Sequence, residues 1–124
     1  MQRSILALAL AGVVSVASAH DLERGPNGGP VVDIAGRHIE MVARGSELVL
    51  FLTDEAERPP VSAGARNARA VVQDLGRTAT VPLAPAEPNR LVGALAQPLI
   101  KGARVVVSAT MADGRAVQAR FVNP

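Results

Sequence analysis

Short runs of alternating residues dominate positions 30–124 and constrain the fold more than any other feature of the chain. Turn residues separate these runs about every 8–12 positions, which is the spacing of an all-β sandwich or barrel. Leu48, Leu50 and Leu52 occupy every second position of one run. This period of two is typical of half-buried antiparallel strands. The sequence therefore predicts an all-β fold, an antiparallel Ig-like β-sandwich of about seven or eight strands.

The connections between the runs are equally informative. Glycine or aspartate stands between neighbouring runs, where a tight hairpin needs a residue with positive φ. We interpret Asp54–Asn67 as a long connection between sheets, and the prolines at 82, 85 and 88 as signs of edge pairing. The predicted strands are Val31–Ile34, Arg37–Ala43, Glu47–Thr53, Ala68–Asp74, Arg77–Leu83, Arg90–Ala94, Arg104–Thr110 and Ala116–Val122.

The composition excludes several classes of protein. The chain has no Cys, Trp or Tyr and only two Phe, so its core must be aliphatic, and disulfides and thiolate metal sites are ruled out. Its formal net charge is only +2, without a cluster of cations or an aromatic platform, which disfavours nucleic-acid binding. The mature serines have no nucleophile motif and only two histidines are present, so we expect no enzyme activity.

Residues 1–19 have the organisation of a secretory signal peptide. Arg3 precedes an apolar stretch from Ile5 to Val16, and the segment closes on Ala17-Ser18-Ala19. No later segment is long and apolar enough to cross a membrane as a helix. The sequence therefore predicts a periplasmic or secreted product, with no membrane association after signal cleavage.

Cleavage after Ala19 makes His20 the new N-terminus. That residue then carries a free α-amine beside an imidazole, and it is one of only two histidines in the chain. The other is His38, in a run where His38 and Glu40 share the more exposed face of a strand and Met41 faces the core. Two imidazoles and an amine in one plane favour Cu(II) over Zn(II). Glu40, Asp21 or Asp33 would add an oxygen ligand or orient an imidazole.

The segment Gly25–Pro30 links these two histidines in our interpretation. Pro, Asn and paired Gly predict a sharp turn at the end of a polar, mobile arm, residues 20–29, and this turn would return His20 toward His38. The alternative is that the turn only begins the domain at residue 30. In the same way, His38 beside Glu40 is also what an ordinary exposed strand histidine with a nearby carboxylate would look like.

Two stretches carry a resemblance to known proteins. The segments GPNGGPVVDIAGRHIEMV at 25–42 and DGRAVQARF at 113–121 resemble small periplasmic proteins associated with heavy-metal efflux systems. More distantly, an N-terminal His on a cysteine-free sandwich is similar in plan to the CopC-type copper-binding proteins. The resemblance implies that His20 and His38 are metal ligands, that copper is the cofactor and that an efflux component is a partner.

Two hypotheses from different classes follow. The first is a periplasmic transition-metal binding protein, with Cu(II) as its ion, that serves metal export or resistance. The second is a metal-free secreted sandwich whose strand edges or loops dock a protein partner. They differ in whether His38 and the processed N-terminus are needed for function.

Overall fold

The computed structural model describes residues 16–18, 24–34, 36–54 and 64–124 of the chain. Within these residues every regular element is a β-strand, and the strands form two sheets that share one core. The all-β class and the antiparallel sandwich predicted from the sequence are confirmed. No helix in this part of the chain has the length and apolar character needed to span a bilayer.

The structure has two more strands than the eight predicted. In chain order the strands are β1 (Val16–Ser18), β2 (Val31–Ile34), β3 (Arg37–Arg44), β4 (Glu47–Asp54), β5 (Arg66–Asp74), β6 (Arg77–Pro82), β7 (Ala84–Ala86), β8 (Arg90–Ala94), β9 (Arg104–Thr110) and β10 (Ala116–Val122). The predicted boundaries agree with those of β2 to β6 and β8 to β10 to within about two residues, as expected at fraying strand ends.

We call β2-β3-β4-β8-β7 the front sheet and β1-β10-β9-β5-β6 the back sheet. All strands of the front sheet pair antiparallel, as do the last four of the back sheet. The short strand β1 is the exception, because it lies parallel beside β10. It falls within the predicted signal peptide, and residues 1–15 and 19–23 lie outside the described part of the chain.

The core lies between the sheets and is aliphatic, as the composition requires. Alternate residues of β3 and β4 enter it from the front sheet, and alternate residues of β9 and β10 enter it from the back sheet. The largest fully buried side chains are Phe121, Ile39, Met41, Leu48, Leu50, Leu52, Leu91, Val32, Val105 and Val107. Packing this continuous face is what fixes the register of each strand, since a shift by one residue would bring its outer side chains inside.

The proline-rich stretch confirms one prediction and corrects another. Strands β6 and β7 are both edge strands, as expected from the prolines. The sequence placed no strand at residues 84–86, however, and this segment pairs with β8 with Pro85 opposite Leu91. Proline is accepted there because β7 has a neighbour on one side only, so its missing N–H costs no ladder bond. The chain passes from the front sheet to the back sheet between β4 and β5, as predicted.

Candidate functional site

The outer face of the front sheet carries the predicted site. In β3, Ile39 and Met41 face the core, so His38, Glu40 and Val42 face outward. Cross-strand register places His38 between Asp33 of β2 and Thr53 of β4. Directly opposed residues in antiparallel strands have Cβ atoms about 4.5–5.5 Å apart, so these side chains are neighbours.

His38 and Asp33 form a direct contact. The Nε2 atom of His38 lies 3.0 Å from Oδ1 of Asp33, and the side chains are 33% and 68% exposed. The imidazole is therefore held by a carboxylate while one side of it remains open to solvent. A carboxylate on one ring nitrogen is the arrangement that orients histidine ligands in metal sites.

The Gly25–Gly29 segment folds back over this face as a tight hairpin. The amide of Gly28 donates to the carbonyl of Gly25 at 2.9 Å, and the amide of Gly25 donates to the carbonyl of Gly29 at 2.8 Å. Gly28 has φ +86° and closes the turn as its bulge residue. Pro26 suits the first central position because its φ is already set, and Asn27 suits the second. The predicted turn is confirmed, and its ends meet in a bridge between Arg24 and Pro30.

Glu40 anchors this turn. Its Oε2 accepts the backbone amides of Asn27 at 2.9 Å and Gly29 at 2.8 Å, and its Oε1 accepts the side-chain amide of Asn27 at 3.0 Å. Glu40 is only 4% exposed, although it lies on the outer face of the sheet. The expectation of an exposed Glu40 beside His38 was therefore wrong, because the turn covers it. Buried charge is tolerated here because both oxygens are hydrogen-bonded.

Glycines let the turn approach β3 this closely. A β-carbon on Gly29 would lie 1.9 Å from the carbonyl oxygen of Met41, and one on Gly25 would lie 2.3 Å from Cδ of Glu40. A side chain at Gly29 would push the turn off the sheet, and one at Gly25 would displace the carboxylate of Glu40. The amide of Met41 also donates to the carbonyl of Pro30 at 3.0 Å, which continues the pairing of the strands. The end of the arm, from residue 24, is therefore fixed against β3, whereas the sequence predicted a mobile arm.

A pocket of about 560 Å³ opens between the turn and the sheet, a size within the range of small-ligand sites. His38, Asp33 and Thr53 form one side of it, and Phe51 and Asn89 lie farther along the front sheet. The turn supplies the remaining wall with Arg24, Gly25, Pro26 and Asn27. The Nη1 atom of Arg24 donates to the carbonyl of Gly28 at 3.1 Å, so this cation is tied to its own hairpin.

The structure brings together some of the predicted site residues. His38, Glu40 and Asp33 all line the pocket, but the oxygens of Glu40 are bonded to the turn. His20 and Asp21 lie outside the described residues. No group of three or more His, Asp or Glu side chains among the described residues is arranged to hold a metal ion. A metal ion at His38 would therefore need ligands beyond those that the described residues bring together.

One end of the site is stabilised from the back sheet. Arg37, the neighbour of His38, forms an ion pair with Asp113 of the β9–β10 hairpin, with Nη2 and Oδ2 3.3 Å apart. The pKa of Asp113 is lowered, first because the amide of Arg115 donates to its carboxylate and then because of Arg37. Partial loss of hydration opposes this shift. The contact holds the two sheets together where β3 begins.

Two pocket residues were missed from the sequence. Asn27 was interpreted only as a turn former, yet its side chain bonds Glu40. Asn89 was assigned no role; its amide donates to the carbonyl of Leu52 at 2.9 Å, which holds the β7–β8 turn against β4.

Comparison with family models, with curated proteins and with solved structures gave no match.

Proposed function

We propose that the pocket beneath the Gly25–Gly29 turn binds a transition-metal ion, with Cu(II) preferred, in a periplasmic protein that serves metal export or resistance as a carrier or sensor. One observation carries the proposal. The hairpin directs the chain so that Arg24 and His38 line the same pocket. His20, which signal cleavage would make the N-terminus, precedes by only four residues a residue that lines the same pocket as His38.

The segment between His20 and Arg24 is long enough for His20 to reach His38. His20 precedes Arg24 by four residues, and an extended chain advances at most about 3.3–3.6 Å per residue, or roughly 14 Å in all. A pocket of about 560 Å³ has dimensions of the same order. The arm can therefore place its α-amine and imidazole at His38 without moving the turn.

Each residue has a distinct role in the proposed site. His20 supplies the amine and one imidazole, and His38 supplies the other imidazole through the nitrogen that Asp33 does not hold. Asp33 orients the ring, as carboxylates do behind metal-bound histidines. Asp21 would supply an oxygen ligand. Glu40 is a positioning residue, since its bonds to Asn27 and Gly29 set the direction of the arm.

The chemistry of the donors favours copper. Three nitrogens in a plane suit the tetragonal preference of Cu(II), which also has the highest affinity of the divalent first-row ions. Among the described residues that line the pocket, the carboxylates of Asp33 and Glu40 outnumber the one cation, Arg24. The pocket is therefore electrostatically suited to a cation.

The experiment begins by determining the N-terminus of the exported protein by mass spectrometry. Cu(II) is then titrated into metal-free wild type, into a His38→Ala variant and into a form with one alanine inserted before His20. We expect each change to weaken binding by at least about tenfold, the scale on which ligand and outer-sphere changes act. Binding should also weaken as the pH falls through the imidazole range, because the ligands must be deprotonated.

Glu47→Gln is the control, since it removes an exposed carboxylate outside the pocket and should leave the Cu(II) affinity unchanged. Wild-type affinity in both the His38→Ala and the alanine-extended proteins would refute the site. A mature N-terminus other than His20 would remove the amine–imidazole pair and refute the proposed ligand set.

A further inference from the structure

The three exposed large apolar side chains among the described residues lie at one end of the back sheet. Leu75 is 84% exposed, Val122 is 55% exposed and Ile100 is 43% exposed. Leu75 and Ile100 border the same shallow depression. Val122 is the cross-strand partner of Arg104, and Arg104 also borders this depression. Asn123 holds this end together, because its side-chain amide donates to the carbonyl of Ile100 at 2.9 Å.

Leu75 is also in an unfavourable backbone conformation. It occupies the β5–β6 turn with φ +51°, followed by Gly76 with φ +76°. Two-residue turns of this kind favour Asn, Asp or Gly at the first position, because a larger side chain is strained there. The chain therefore carries a leucine where it is both strained and almost fully hydrated. Neither turn formation nor packing against the described residues explains that choice.

Cations surround the apolar tip. Arg77, Lys101 and Arg104 border the same depression. Asp74 is the one acidic residue among the described residues of its lining. None of the three cations forms an ion pair with any residue in the described part of the chain. The tip thus combines protruding apolar groups with unpaired positive charge. We call Leu75, Ile100, Val122, Arg77, Lys101 and Arg104 the basic apolar tip.

We propose that the basic apolar tip docks on an anionic lipid surface. Peripheral membrane binding needs apolar side chains that enter the interface and cations that meet anionic headgroups, because one signal alone gives weak binding. Leu75 is 84% exposed in the β5–β6 turn and so suits insertion between headgroups. The unpaired cations beside it supply charge complementarity. The sequence predicted no membrane association because no segment after residue 19 is long and apolar enough to cross a membrane as a helix. The residues of the basic apolar tip come from three separate segments of the chain, so no single segment reveals them.

The tip lies at the opposite end of the back sheet from the candidate metal pocket. The Arg37–Asp113 ion pair brings the β9–β10 hairpin to the pocket end. Leu75 lies two residues after Gln73, and Gln73 pairs with Arg104 at the start of β9. Leu75 is therefore at the end of the back sheet where β9 begins. The seven residues of β9 separate the two ends by about 20 Å. A molecule seated by the tip would therefore keep its pocket in solution, open to an incoming ion.

Vesicle flotation tests the proposal with exported protein of known N-terminus. Wild type is mixed with vesicles of neutral phosphatidylcholine or of phosphatidylcholine with one third phosphatidylglycerol. We expect binding to the anionic vesicles, decreasing with added salt. Leu75→Asn should reduce that partition coefficient by about tenfold or more, given the transfer free energy of a leucine side chain. This variant should fold at least as stably as wild type, since Asn tolerates positive φ.

A pair of charge variants controls for net charge. Lys101→Gln removes a cation at the tip, and Arg66→Gln removes an exposed cation at the other end of β5. Lys101→Gln should weaken binding about fivefold, from roughly 1 kcal/mol per cation near the surface, and Arg66→Gln should have little effect. The proposal would be overturned if wild type did not bind the anionic vesicles or bound neutral vesicles equally well. It would also be overturned if Leu75→Asn bound like wild type, or if Lys101→Gln and Arg66→Gln lost the same amount of binding.

Discussion

Two turns of this protein have the same backbone and different surroundings. In Gly25–Gly29 the fourth residue donates to the first carbonyl at 2.9 Å and the first donates to the fifth at 2.8 Å. In Met111–Arg115 both corresponding hydrogen bonds are 2.8 Å. Gly28 and Gly114 occupy the same position with φ +86° and +87°. The difference between the turns therefore lies in what each one contacts.

The residue before each bulge glycine makes the difference visible. Asn27 directs its amide to the buried carboxylate of Glu40, and its turn covers an outer sheet face. Asp113 instead accepts the amide of Arg115 at 3.0 Å and pairs with Arg37 at the surface. The Gly25–Gly29 turn is anchored by a buried carboxylate, and the Met111–Arg115 turn is stabilised by exposed contacts. The same local geometry thus forms a pocket wall in the first turn and a contact between the two sheets in the second.

The largest expected effect is that of removing the buried anchor. Glu40→Gln should lower the free energy of unfolding by about 2–3 kcal/mol, because charge-assisted bonds are lost and an amide group faces the N–H donors of the turn. Urea denaturation measures the change. Glu47→Gln, on the adjacent strand but exposed, is the matched control and should change stability by less than about 0.5 kcal/mol. Equal effects of the two substitutions would show that Glu40 does not anchor the turn.

A smaller effect tests whether the two backbones are energetically alike. Alanine at Gly28 or Gly114 meets open space, so each substitution is limited by its positive φ. Each should cost about 1 kcal/mol in urea denaturation. A cost at Gly28 much above that at Gly114 would show that the anchored turn cannot relax, and the two turns would then differ in more than their contacts.

The sequence predicted the strands well because their period of two is enforced by a shared core. Leu48, Leu50 and Leu52 are 0%, 0% and 1% exposed, as their alternation required. Met41, predicted to face the core, is also buried. The turn at Gly25–Pro30 was predicted equally well, since each of its residue types has a known steric preference. At all these positions the local conformational preferences and the packing of the core favour the same structure.

The burial of Glu40 could not be predicted in the same way. Alternation places it on the outer face, and only the contact with a turn more than ten residues earlier in the chain covers it. Leu75 shows a different limit. The sequence marks a turn at Leu75-Gly76, but it assigns the positive φ to glycine, whereas both residues adopt it. The metal site remains a prediction, because its proposed N-terminal ligands lie outside the described residues.

The smallest expected effect concerns the exposed turn and its pH dependence. The Asp113 carboxyl has a pKa below its usual value of 3.8, chiefly because the amide of Arg115 donates to it. Its stabilising contribution is therefore complete above that usual value and is lost as the pH falls through the lower folded-state pKa. The difference in urea midpoint between wild type and Asp113→Asn should accordingly shrink below about pH 4. An NMR titration of the carboxyl should give a midpoint under 3.8, and Arg37→Gln should raise it. A midpoint at 3.8 in both wild type and Arg37→Gln would mean that neither Arg115 nor Arg37 stabilises the charged Asp113 carboxylate. The difference between the two turns would then depend only on the contacts of Glu40.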